Sequence, residues 1–233
     1  MSNWYQNSFF KTQFVTVFNI LTVSGETFVA ESMELALSEP LDPATKKLVE
    51  KFVREEHSHS HATHGFNKKF CGDDWRAHLF HRICSSFISL CEPLVSTNIK
   101  LSMVAASEFW TANAASIVLD HQLIQNMNEP AAKQLFEWHC KEEIAHSRLP
   151  LLVMDEMKIN PLERFIGFLL SSLTEFWMIA LGCILLVLTS PQIFNPKTWY
   201  DGFTFFFTDE KILFRTMTTM SKHFERQLLW GKT

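Results

Sequence analysis

Apolar residues recur at spacings of three and four along most of the chain, and short breaker segments cut the pattern into blocks of helical length. The breakers are Ser38-Glu-Pro-Leu-Asp-Pro43, Cys71-Gly-Asp-Asp74, Asn128-Glu-Pro130, Asn160-Pro161 and Ser190-Pro191. The blocks between them predict helices over 23–38, 43–69, 75–92, 96–127, 131–157, 161–189 and 209–228. No strand-length alternation, internal repeat or low-complexity tract competes with this reading. Short connections between long helices favour antiparallel neighbours, so an all-α, up-and-down helical bundle is expected. The whole chain, 1–233, reads as a single helical domain: a bundle over 19–157 with the helices 161–189 and 209–228 packed on it. The Phe-rich stretch 192–208 resists assignment.

The block from Phe165 to Leu188 has the length of a membrane span and holds one ionisable residue, Glu175. Ser171, Ser172, Thr174 and Glu175 interrupt its first half, and no Lys/Arg asymmetry marks its ends. It reads as a buried bundle helix, with membrane association through 165–188 as the alternative. Glu175 then belongs either to a buried network near the other acids or to a polar spot in an embedded helix.

Composition agrees with helices, since 7 Gly and 8 Pro in 233 residues fall below the roughly 16 and 12 of average usage. With 21 Lys and Arg against 25 Asp and Glu the net charge is −4, and no basic block could follow a phosphate backbone, so a nucleic-acid partner is not expected. The five cysteines form no C-x-x-C pair, which fits a reducing cytoplasm better than a disulfide framework. Met1 to Asn19 lacks the basic start and apolar middle of an export signal.

The chemistry appears where the helical pattern demands apolar side chains and supplies acids and imidazoles instead. One face of the second helix runs Leu48, Val49, Phe52, Glu56, His59, Thr63, Phe66, Phe70. On the fifth, Ala132, Leu135 and Phe136 lead into His139, Glu143 and His146, and then Pro150, Val153 and Met154. Glu108 sits among Leu101, Val104, Ala105, Ala112, Ala115 and Leu119, and Glu26 among Val23, Val29, Ala30, Met33 and Leu37. An isolated carboxylate in a core costs several kcal/mol or is neutralised, so four inward glutamates require a common positive partner. No Lys or Arg lies on these faces. Two divalent metal ions would satisfy the set, in the order Glu26, Glu56-x-x-His59, Glu108, Glu143-x-x-His146. One Glu from each of two helices and a Glu-x-x-His from each of two others is the arrangement of ferritin-like di-iron proteins. His57, His61 and His64 share a face with Glu50, Arg54 and Lys68 and read as solvated. Glu55 and Glu142 adjoin the inward acids and fit either a hydrogen bond to a ligand or the surface. Phe109, Trp110 and Trp138 read as core.

The motif His139-x-x-x-Glu143-x-x-His146 resembles that of di-iron N-oxygenases of the p-aminobenzoate N-oxygenase type. The strings Phe52-Val-Arg-Glu-Glu-His-Ser-His59 with Phe66-Asn67, and Trp138-His-Cys-Lys-Glu-Glu-Ile-Ala-His146, resemble still more closely a bacterial family catalogued as predicted metal-dependent hydrolases. The likeness runs from about Asn19 to Asp155. Before Glu26 the chain reads Val-Ser-Gly where that family more often has an aromatic-Pro lead-in.

The resemblance implies that Glu56 and Glu143 bridge two irons, that Glu26 and His59 complete one, and that Glu108, His139 and His146 complete the other. It also implies an O2-activating oxidoreductase, an oxygenase acting on a small-molecule substrate such as an amine. An external electron-donor protein or reductant would serve it, because no dinucleotide fingerprint is present. The alternatives are a hydrolase whose two metals activate water, and a non-catalytic iron-binding or membrane-associated protein. A homodimer is compatible with all three.

Overall fold

The computed structural model describes residues 3–218. Among them no strand forms, and Tyr5 and Met127 make one isolated antiparallel bridge. The helices are α1 (Phe9–Leu35), α2 (Pro43–Cys71), α3 (Trp75–Cys91), α4 (Thr97–Asp120), α5 (Pro130–His146), α6 (Leu149–Glu156), α7 (Pro161–Cys183) and α8 (Pro196–Phe203). π-helical turns extend α7 over Ile184–Leu188 and α8 over Thr204–Thr208. The chain is all-α. Ser8, Asp42, Asp74, Ser96 and Asn160 each cap the following helix by accepting a backbone N–H, and Pro43 and Pro161 sit where a missing N–H costs nothing.

Three boundaries differ from the sequence reading. α1 begins at Phe9 rather than near residue 23, because Gln13, Thr16 and Asn19 are polar yet buried and break the apolar period that marks a helix. The block 96–127 ends early: Gln122 adopts a left-handed φ of 53°, and a 3-10 turn follows. The block 131–157 is two helices, since Pro150 has no N–H for the His146 carbonyl and its ring crowds it. The stretch 192–208 holds a 3-10 turn and α8. The chain is helical again from Ile212, and the remainder of the expected helix 209–228 lies outside the described residues.

α1 and α2 form an antiparallel pair: Asn67 donates to the Asn19 carbonyl, Ser60 to that of Val23, and Lys46 to that of Leu37. α4 and α5 close the bundle against them. α3 lies outside, against α1 and α7. α7 runs parallel to α4, with Asn98 donating to Glu163 and the Trp110 indole N–H to Ser172.

Along the bundle, one apolar cluster (Val29, Met33, Val49, Phe52, Leu101, Val153) and another (Trp4, Tyr5, Phe66, Phe70, Met127, Ala132) flank a polar layer. A third, of Val17, Ile20, Phe80, Cys84, Met178 and Leu186, ties α3 and α7 to α1.

α7 corrects the expectation of a fully buried helix. Gly167, Ser171, Met178 and Gly182 face inward, whereas Leu162, Phe165, Leu169, Leu173, Phe176 and Trp177 are exposed. Only 28% of its most apolar window is buried. One face meets α4, α1 and α3, and no described element covers the other.

Candidate metal centre

The polar layer joins four helices. α1 contributes Glu26, α2 Glu56 and His59, α4 Glu108, and α5 His139, Glu143 and His146. All are buried except His139, which is partly covered. The spacing of three between each Glu and its His places both on one helix face, and the apolar turns on either side fix that face inward.

Two groups of donor atoms result, each with every member within 4.8 Å of the others: Glu26, His59, His139 and Glu143, and Glu56, His59, Glu143 and His146. In the first, His139 Nε2 lies 2.7 Å from Glu26 Oε1 and 2.9 Å from Glu143 Oε1. In the second, His146 Nδ1 lies 2.6 Å from Glu56 Oε1, and His59 Nδ1 is 3.2 Å from Glu143 Oε1. His59 and Glu143 belong to both groups. An imidazole nitrogen has one lone pair to offer and a carboxylate has two oxygens, so of these two only Glu143 can serve two ions at once.

The placement departs from the implied ligand sets at His139, which stands with Glu26 and His59 rather than with Glu108 and His146. The cause is the 2.7 Å approach of α1's carboxylate to its ring. Glu108 enters neither group; it is buried beside them and its charge faces Glu143, Glu56 and Glu26.

The outer acids are resolved by a crossed pattern. Glu142 of α5 pairs with His59 Nε2 of α2 at 2.7 Å, and Glu55 of α2 pairs with His146 Nε2 of α5 at 3.2 Å. Each carboxylate thus holds the far nitrogen of a ring whose Nδ1 looks into the layer, which fixes tautomer and orientation. The sequence carried the signal as a repeated doublet, Glu55-Glu56-x-x-His59 and Glu142-Glu143-x-x-His146. Sequence reasoning also placed Trp138 in the core generally; its ring stands edge-on to His59 with centroids 4.9 Å apart, and Phe52 packs on His146 at 4.7 Å. His57, His61 and His64 are exposed.

Charge is poorly balanced without a cation. Burial pushes Glu26 up to about 7, against the pull of the nearby His139 imidazole. Burial, then the charges of Glu143, Glu56 and Glu26, holds Glu108 well above the ordinary carboxylate range. Burial acts the same way on Glu143, but the hydrogen bond with His139 and the nearby His59 imidazole overcome it and hold it low. Despite burial, Glu143, Glu56 and Glu142 raise His59 to about 11, and Glu143 and Glu26 raise His139 to about 9.

Seven buried atoms still find no properly oriented hydrogen-bond partner: both oxygens of Glu26 and of Glu56, Glu108 Oε2, and Nδ1 of His59 and His146. Orphaned acceptors converging from four helices fit divalent cations, which accept lone pairs from several directions at once.

The molecule is thus an all-α bundle with a site of acids and imidazoles suited to metal. A family model described as predicted metal-dependent hydrolase matches residues 1–228, and the chain belongs to that family. The match takes in the C-terminal third, beyond the Asn19–Asp155 likeness. No curated protein and no solved structure matches the chain.

Proposed function

We propose that this protein is a non-haem di-iron oxygenase, an oxidoreductase that uses O2 on a small organic substrate such as an amine. The observation that carries the reading is the donor set: four carboxylates and three imidazoles, no thiolate, from four helices of one bundle. That mixture of oxygen and imidazole donors suits iron or manganese, and its layout is that of carboxylate-bridged di-iron bundles. Glu26, Glu56, His59, Glu108, His139, Glu143 and His146 would hold the ions, with Glu143 standing in both donor groups. Bound there, two ferrous ions would supply the open positions and electrons for O2 reduction. Each oxygen atom transferred would use those two electrons and two protons, with the second oxygen leaving as water, so an external donor must restore the two electrons for each turnover.

The chain's own residues set the conditions. Glu142 and Glu55 keep Nδ1 of His59 and His146 pointed inward. Phe52 and Trp138 cover those rings and limit water.

A second reading, a hydrolase whose two metals activate water, is favoured by the family's description. The test prepares the protein with ferrous iron without air, admits O2, and follows uptake with an oxygen electrode. The oxygenase reading expects uptake in proportion to bound iron. A zinc-loaded protein that cleaves esters or amides at full rate, with no O2 uptake by the iron form, would replace it with the hydrolase.

A further inference from the structure

The outer face of α7 and its π-helical extension carries nine large apolar side chains more than a third exposed, Leu162, Phe165, Leu169, Leu173, Phe176 and Trp177 among them. With its π-helical extension it runs roughly 40 Å, at 1.5 Å per residue. From Phe165 to Leu188 the one ionisable residue is Glu175, and it is turned inward: its carboxylate accepts from Ser171 at 2.8 Å and from Ser107 of α4. An uncharged apolar stripe of that length is far beyond the scattered exposed Leu of an ordinary surface.

We infer that this face docks side-on, without crossing, onto the apolar surface of a phospholipid bilayer. Crossing is opposed by the inner face, which is fixed to the bundle at both ends. A Cβ on Gly167 would lie 2.8 Å from the Ser102 backbone, and one on Gly182 would lie 2.6 Å from Val17 and 2.7 Å from Phe80. A helix held that closely cannot leave the bundle without opening it, and it would drag the Glu175 carboxyl into hydrocarbon.

The area decides between a bilayer and a second copy. The nine side chains on α7 expose on the order of 1,000 Å². That exceeds the about 800 Å² per partner of a standard interface. A second copy making an interface of standard size would leave part of a strip that long in water. A fluid surface covers its whole length, and Trp, here Trp177, is a side chain that favours the boundary of that surface. With a net charge of −4 and no basic cluster, attachment comes from apolar burial rather than attraction to anionic headgroups.

The experiment floats the full-length protein with phosphatidylcholine vesicles at low and at about 1 M salt, where exposed charges are screened. Most of the protein floats at both, and the double substitution Phe176→Glu/Trp177→Glu lowers the floating fraction at least about tenfold while helicity and metal content hold. Leu48→Glu, at an exposed position of α2, leaves flotation unchanged. Trp177→Phe still floats but loses part of the fluorescence quenching by brominated lipid, a readout independent of the double variant's folding. Protein that stays soluble at both salts overturns the inference, as does, in a parallel run with phosphatidylserine-containing vesicles, flotation confined to those vesicles at low salt. A dimer that ignores vesicles and is split by the double substitution assigns the face to a second copy instead.

Discussion

The two parts of the molecule break the rule of apolar inside and polar outside in opposite directions. Helices α1 to α6 bury Glu26, Glu56, Glu108, Glu143, His59 and His146 at one level of a core, and show nine large exposed apolar side chains in all. The segment from α7 to Met217, about a third as long, shows seventeen. Each violation is a statement about something outside the chain: inward charge wants a cation, and outward hydrocarbon wants a solvent other than water. The comparison teaches that hydropathy alone does not separate a packed helix from an exposed one, since the side that is covered matters more than the mean.

The strongest way to break it is Glu143→Ala. Glu143 stands in both donor groups, so bound metal should fall by more than about 100-fold in affinity, read by elemental analysis and titration. Full retention of two ions would remove the reason given for the buried acids.

Glu142→Gln and Glu55→Gln test the crossed contacts, which touch the rings and not the ions. Each should weaken metal binding about 10- to 100-fold and leave the fold intact. Gly182→Val tests the inner side of α7, where the added side chain meets Val17 and Phe80. A loss of about 1–3 kcal/mol in a denaturant titration is expected.

The metal-free protein should depend on pH in a definite sense. Glu26 titrates near 7 in the fold against an ordinary 4.5, and His139 near 9 against 6.5. In both intervals the folded state binds more protons than the unfolded state, so stability falls as pH rises, first from 4.5 to 7 and then from 6.5 to 9. Melting temperatures without metal should therefore descend through about pH 5, 7 and 9. With metal the trend reverses, because the ion takes the place of those protons.

The smallest effect sharpens the contrast. Phe176→Glu, on a side chain 74% exposed, should change stability in water by no more than about 0.5 kcal/mol, measured by thermal melting. A large loss would mean that the outer face is packed after all.

The sequence alone determined the helical class, most breaks between helices, and the inward direction of the acids on α1, α2, α4 and α5, because a residue's angle about its own helix axis follows from spacing. It also carried the doublets Glu55-Glu56 and Glu142-Glu143, though not their use. What tertiary structure decided is which neighbour stands at each angle. Glu142 reaches His59 and Glu55 reaches His146 only because α2 and α5 face each other at matching height. His139 meets Glu26 because α1 passes beside it. The first half of α1 was hidden because its inward Gln13, Thr16 and Asn19 are polar, and only packing makes them interior. For α7, periodicity could not tell how many sides have neighbours: a helix apolar almost all round reads the same in a core, on a membrane or half-covered. The physical reason is common to all four cases, since spacing is local and height, proximity and coverage are properties of the assembled bundle.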